Sequence, residues 1–199
     1  MKLYYKAGAC SLASHIALCE AGLAFDTESV DLATKVTGSG ADFTKVNPKG
    51  YVPALVLDDG QVLTEGVAIM QYVADLRPAA GLAPANGTLE RYRLQEWLHY
   101  IGSEIHKSFG PLFGAFPDEA KALLKDRIRK RLGELEQHLA GRQWLLDRFS
   151  VADAYAFTVV SWSPYVDIDL APYPNVKAYL GRVAARPKVQ EALRAEGLA

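Results

Sequence analysis

The chain has 199 residues, 50% of them hydrophobic and 23% charged, which excludes a disordered chain. Its 22 Lys+Arg nearly cancel its 23 Asp+Glu, so its overall field is a poor attractor for nucleic acid. No apolar run approaches the ~18 residues of a membrane-spanning helix, and two cysteines allow neither a disulfide scaffold nor a Cys-based structural zinc site.

The start of the chain, Met1-Lys2-Leu3-Tyr4-Tyr5-Lys6, has Lys where a secretory signal would be apolar. A cytoplasmic protein is expected, with Cys10 and Cys19 as reduced thiols. Leu3-Tyr4-Tyr5 reads as a short strand. A helix follows from Ser11 to Ala21, with Gly22 at its C′ position. Phe25 to Leu32 is a second strand and Lys35 to Ala41 a polar loop. Asp42 to Val46 makes a helical turn before Asn47-Pro48-Lys49-Gly50, a strong turn signal. Tyr51 to Leu57 reads as a strand with Pro53 at its start or edge. Asp58-Asp59-Gly60 turns it back into Gln61-Val62-Leu63. An apolar helix runs from Val67 to Leu76 and ends at Arg77-Pro78.

The second part of the chain is helical. Thr88 caps a long helix reaching about Phe109, expected to be central and buried because Tyr92, Trp97, Leu98, Ile101 and Ile105 give it apolar residues on more than one side. A charged helix starts at Pro117 and runs to about Leu139. Ser150 and Asp153 resemble a capping box at the head of an apolar helix, Val151 to Trp162. Pro174 and Pro187 each open a short terminal helix. The order strand-helix-strand, loop, strand-strand-helix is that of a thioredoxin-like α/β domain at residues 1–80. A linker follows at 81–87, then an all-α domain at 88–199.

Four features carry candidate chemistry. Cys10 lies between a strand and the first turn of a helix, where free amides and the helix dipole favour a thiolate; a small inert core thiol is the alternative. Position 13 is Ala, so no Cys-x-x-Cys pair exists. Cys19, in mid-helix, is assigned to packing. Val52-Pro53 is either a plain strand-entry proline or a cis bond that presents the Val52 backbone to an extended ligand. Glu65 is either a first-turn acid or half of an amino-acid clamp, its carboxylate taking an ammonium while the amides from Gly66 onward take a carboxylate. His99, Ser103 and His106, at spacings of four and three, share one helix face beside Lys107, without a recognisable metal-ligand pattern.

In their order and spacing, Cys10, Gly50-Tyr51-Val52-Pro53, Thr64-Glu65-Gly66, Ser103-Glu104-Ile105-His106-Lys107 and Ser150-Val151-Ala152-Asp153 resemble the cytosolic glutathione transferases. Within them the chain is most similar to the bacterial beta class, as found in pathways that degrade aromatic compounds. The resemblance implies the glutathione transferase fold, a homodimer, and reduced glutathione as cosubstrate with no permanently bound cofactor. It implies Cys10 and His106 near the sulfur, and Ser11, Lys35, Val52, Pro53, Glu65, Gly66, His99, Ser103 and Lys107 as glutathione contacts. Two positions depart from the pattern: Gly66 where Ser is frequent, and His99 where Asn is common. The implied reaction conjugates the thiolate to a hydrophobic electrophile, halogenated aromatics included, with Phe109, Phe113 and Trp162 as candidate lining. The alternatives are a glutathione-dependent thiol transferase or reductive dehalogenase using Cys10, a non-enzymatic carrier of hydrophobic ligands, and an isomerase of the same fold.

Overall fold

The computed structural model describes residues 1–199. They form two units: Met1–Ala83 together with Arg186–Ala199, and Pro84–Ala185. No helix is long and apolar enough to cross a membrane.

The first unit begins with β1 (Lys2–Tyr5), α1 (Ser11–Glu20), β2 (Asp26–Asp31), β3 (Val36–Thr37), β4 (Ala54–Val56), β5 (Val62–Thr64) and α2 (Gly66–Leu76). The sheet order is β3-β2-β1-β4-β5. β1 lies parallel to β2, as a crossover through α1 requires, and antiparallel to β4. Register pairs Leu3 with Leu55 and Tyr4 with Ala54. Successive residues of a strand face opposite sides, so the sheet buries both faces. Tyr4 and Ala54 pack with Val30, Phe43 and Val52, and the Tyr4 and Phe43 rings lie 5.4 Å apart. Leu3 and Leu55 are equally buried, and α1 and α2 pack on each other and on the sheet.

Two elements differ from the sequence reading. The stretch expected as a loop contains β3, an edge strand of two residues, too short to show alternation. The strand expected over 51–57 is confined to Ala54–Val56, because residues up to Pro53 belong to the turn that precedes it.

The second unit holds α3 (Leu89–Tyr100), a π-helical stretch Ile101–His106, α4 (Lys107–Phe109), α5 (Asp118–His138), α6 (Val151–Val160) and α7 (Pro174–Ala184). Thr88 caps α3 by accepting from the Arg91 N–H at 3.2 Å. The expectation that α3 is buried all round is corrected: Leu94 and Leu98 are buried, but Leu89 and Tyr92 are exposed. The helix buried on every side is α6, all ten of whose residues are buried. Its head carries the capping box. The buried Asp153 carboxylate accepts from the N–H groups of Leu145 and Ser150 at 2.9 and 2.8 Å, and from the Tyr179 hydroxyl at 3.0 Å. Burial raises its pKa while these hydrogen bonds oppose the rise.

The last helix, α8 (Pro187–Ala195), was expected within the all-α part but belongs to the first unit. Its buried Val189 and Ala192 make a stripe that any helical layer would accept, and the partner it meets is α1. Arg186 binds Glu20 through two hydrogen bonds, at 2.7 and 2.8 Å. Glu196 then reaches into the core, where its carboxylate accepts from His15 Nδ1 at 2.9 Å and from the Gly8 N–H at 2.9 Å. Gly8 has φ +71°, and a side chain there would also stand against Leu198. The end of the chain thus pins the loop that leads into α1. Glu196→Ala removes the acceptor shared by the buried His15 ring and the partly buried Gly8 N–H, and we expect a loss of about 2–3 kcal/mol in urea unfolding. A midpoint equal to wild type would show that the pair holds nothing.

Candidate functional site

The loop after β1 delivers Cys10 to the N-cap of α1, with φ −59° and ψ −20°. Cys10 is partly exposed, and its thiol donates to the Val52 carbonyl at 3.4 Å. Cys19 is buried, and desolvation, with Glu191 nearby, pushes its thiol up to about 12. It stays protonated and inert, in line with the packing role assigned to it. Ser11, expected as a ligand contact, is completely buried. Its hydroxyl accepts from the Lys6 N–H at 3.1 Å and donates to the Lys6 carbonyl at 3.2 Å. We therefore reassign Ser11 from ligand binding to closing the loop.

Val52 and Pro53 are joined by a cis peptide bond. The turn before it rests on the buried Asn47, whose Nδ2 donates to the Tyr51 carbonyl at 2.7 Å and whose Oδ1 accepts from the Lys49 N–H at 3.2 Å. Lys35 folds onto this turn, its Nζ 3.0 Å from the Gly50 carbonyl and 5.5 Å from the centre of the Tyr51 ring. Pro53 in turn touches the head of α2, its Cγ 3.5 Å from where a Cβ on Gly66 would stand. Glu65, just before that head, is paired with Lys49 at 2.9 Å. Residues 10, 35, 49–53 and 65–66, distant in sequence, are therefore joined by direct contacts on one unit.

Lys35 and Glu65 share a further property. Only three non-glycine residues have positive φ, and these two, at +60° and +68°, are among them. Such conformations cost of order 1–3 kcal/mol and persist where the surroundings impose them, often at ligand sites. Lys35 thereby lies back over the Gly50 carbonyl and the Tyr51 ring, whereas the Glu65 side chain is exposed at the helix head.

The second unit corrects the idea of a single polar face. The π-helical stretch changes the residue angle along α3 and α4, so spacings of four and three no longer stack. His99 and Ser103 are exposed and bonded within their own helix, His99 Nδ1 to the Gln95 carbonyl at 2.8 Å and the Ser103 hydroxyl to the His99 carbonyl at 2.9 Å. Lys107 is exposed. His106 instead turns into an aromatic cluster. Its ring lies 5.1 Å from that of Trp162, which also stands edge-on to Phe109 and Phe113, each at 5.9 Å. Tyr155, a residue sequence reasoning passed over, sits with its hydroxyl 2.7 Å from His106 Nδ1. The phenol can donate to Nδ1, which puts the imidazole proton on Nε2, or accept from an Nδ1–H. Burial, and to a smaller degree Lys107, pushes this imidazole down to about 4, so the ring is neutral at pH 7.

Residues 7–76 match the family model for the glutathione S-transferase N-terminal domain, and residues 97–187 match the model for the C-terminal domain. The chain belongs to the glutathione S-transferase family. Among solved members, a ternary complex of BphK, a bacterial transferase, is 58% identical with a TM-score of 0.98, and each chain is covered completely. A bacterial beta-class glutathione S-transferase of Sphingomonas chungbukensis is 52% identical with a TM-score of 0.97, again over the whole of both chains. A sphingomonad glutathione S-transferase complexed with glutathione is 53% identical with a TM-score of 0.96 over the same full extent. The expected transferase fold, a thioredoxin-like α/β part and an all-α part, is thereby shown.

Besides Tyr155, sequence reasoning missed Lys49 and Ser14 of this transferase. Lys49 was read only as part of the Asn47-Pro48-Lys49-Gly50 turn, and Ser14 only as a residue within the helix from Ser11 to Ala21. Only Lys49 left a trace, as a charge within the motif that precedes Val52-Pro53.

The His106 environment has a measurable consequence. Its folded pKa lies below the 6.5 of an unperturbed imidazole, so the unfolded chain takes up a proton there first. His106 therefore lowers stability as pH falls from about 6.5 to about 4. In His106→Phe the decline over that window should be shallower by denaturant titration at several pH values. An unchanged slope would place the imidazole in water.

Proposed function

We propose that this transferase binds reduced glutathione along the strip from Cys10 to Gly66 and joins its sulfur to a hydrophobic electrophile. The charges carry the reading. Glutathione has two carboxylates and one ammonium. Glu65 suits the ammonium, the amides from Gly66 onward suit the adjacent carboxylate, and Lys35 suits the carboxylate at the glycyl end. Val52 offers its N–H to the cysteinyl amide, as strand addition does, beside Pro53. The sulfur then comes to Cys10. The single supporting observation is the contact chain that gathers these residues on one unit, with positive φ at both charged ends. The sphingomonad relative complexed with glutathione, 53% identical, supports the same ligand.

The chemistry is displacement or addition. The glutathione thiol loses its proton to water and the sulfur forms a bond to an electrophilic carbon; in displacement a leaving group such as halide departs with its electron pair, and in an addition the substrate's π pair takes up a proton. His106, in the second unit, is neutral, so its imidazole suits an anionic sulfur as a hydrogen-bond donor rather than as a cation. Phe113 and Trp162 would suit an apolar, aromatic substrate, with halogenated aromatics as the candidate class, whereas Phe109, expected beside them, is completely buried and only backs Trp162. His99, Ser103 and Lys107 are exposed and stay as secondary candidates for polar contacts. A homodimer belongs to the same reading, with exposed Leu89 and Tyr92 on α3 as available apolar surface.

Cys10 decides between this reading and a thiol transferase or dehalogenase in which it is the nucleophile. Its observed bond favours the first, because a thiol whose only proton is held on a carbonyl is a protonated thiol rather than a nucleophilic thiolate. Cys10→Ala should retain conjugation of glutathione to chlorinated nitroaromatics within about tenfold, a loss of roughly 1.4 kcal/mol, the size of one hydrogen bond. Loss of conjugation together with disulfide reduction would instead make Cys10 the nucleophile. Glu65→Ala should weaken glutathione by about tenfold or more in calorimetry, a smaller loss than for a buried pair because this carboxylate is largely exposed before binding. A dissociation constant equal to wild type would remove Glu65 from the clamp.

A further inference from the structure

The residue opposite Glu65 has no assigned part in the strip. Lys49 Nζ lies 2.9 Å from Glu65 Oε1, and both side chains are more than half exposed, at 56% and 72%. Its backbone is held by Asn47, whose buried side chain accepts from the Lys49 N–H and binds the Tyr51 carbonyl. The cation is thus delivered to a fixed place at the head of α2, on a flexible four-carbon stem. That helix is eleven residues long, and its first helical hydrogen bond runs from the Ile69 N–H to the Glu65 carbonyl at 3.0 Å. The preceding amides are those a helix leaves unpaired.

A second observation marks the same place. Ser14 is completely buried, and its hydroxyl has no hydrogen-bond partner. Its oxygen stands 3.8 Å from where a Cβ on Gly66 would be. A buried unpaired hydroxyl against a helix head that lacks a side chain leaves polar capacity there unmet within the chain.

We infer that Lys49 is a specificity-determining residue that grips the α-carboxylate of the glutathione γ-glutamyl group. The inference rests on the glutathione reading of this strip. Before binding, Lys49 and Glu65 neutralise each other across an exposed and weakly held pair. An α-amino-acid end brings both opposite charges at once. Its ammonium takes the Glu65 carboxylate, Lys49 swings off, and the ligand carboxylate lies between Lys49 and the amides at Gly66. The exchange replaces one ion pair by two and leaves no charge uncompensated. A ligand with only the ammonium would free Lys49 without giving it a partner. The lysine therefore makes the site demand a carboxylate and an amine on the same carbon.

The test is calorimetric, on wild type, Lys49→Met and Lys49→Arg, with two ligands. One is reduced glutathione and the other is 4-aminobutanoyl-cysteinylglycine, which lacks only the α-carboxylate. Lys49→Met should weaken glutathione about tenfold, and leave the carboxylate-free tripeptide within about twofold of wild type, as expected when one charged partner is lost. Lys49→Arg should recover most of the loss. Glutathione binding that is unchanged or tighter in Lys49→Met overturns the inference, because the lysine would then be a bystander or a competitor for Glu65. Equal weakening of both ligands also overturns it, since the effect would not be tied to the carboxylate. If wild type itself does not bind glutathione, the underlying reading of the strip fails, and this result is distinct from either of the others.

Discussion

The candidate site depends on the antiparallel pairing of β1 with β4. Tyr4 stands opposite Ala54, so the end of β1 comes out beside the beginning of β4. One end leads to Cys10 and the other follows Val52–Pro53. The contact between the Cys10 thiol and the Val52 carbonyl follows from this register. Because side chains alternate along a strand, a slip by one residue would send Leu3 and Tyr4 to the wrong faces of the sheet. The buried packing of Tyr4 on Phe43, and of Leu3 beside Leu55, forbids that slip. Hydrophobic packing of the sheet therefore fixes the separation of the Cys10 thiol and the Val52 carbonyl.

The charged groups of the first unit divide by burial. His15 and Glu196 are buried and make hydrogen bonds that hold the Cys10 loop and the chain end together. Glu65 and Lys49 are exposed, and Lys35 lies half-buried over the turn that carries Lys49. A buried pair resists exchange because opening it leaves unpaired polar groups, whereas an exposed pair can trade partners at small cost. The unit thus keeps its rigid electrostatics beneath the loop and its exchangeable electrostatics at the surface, as suits a site for a zwitterionic peptide.

In the second unit, the π-helical stretch turns His106 among aromatic rings, while His99 and Ser103 remain at the surface. Desolvation holds the imidazole neutral, and the Tyr155 hydroxyl shares a hydrogen bond with its Nδ1 that orients the ring. A neutral, oriented donor in apolar surroundings is worth more to a developing anion than a solvated cation whose charge water already screens.

Most elements were legible in the sequence because they obey local rules. Glycine and proline marked the turns at Asp58–Gly60 and the starts of α7 and α8. The Ser150–Asp153 spacing marked the head of α6, and residue order alone pointed to the family. The strand β3 was not legible, since two residues carry no period. Neither was the attachment of α8, since an apolar stripe does not name its partner. Lys35, Val52, Glu65 and Gly66 were named from motifs, but their contacts are non-local and no spacing encodes them. The burial of Ser11, the pairing of Lys49 with Glu65, the orphan hydroxyl of Ser14 and the tyrosine beside His106 exist only once the chain has folded. The sequence by itself determined most secondary elements, whose signals lie a few residues apart, and, through the order of its motifs along the chain, the family. The tertiary structure alone decided which polar groups are exposed and which meet, because burial and distance arise from contacts between segments far apart in the chain.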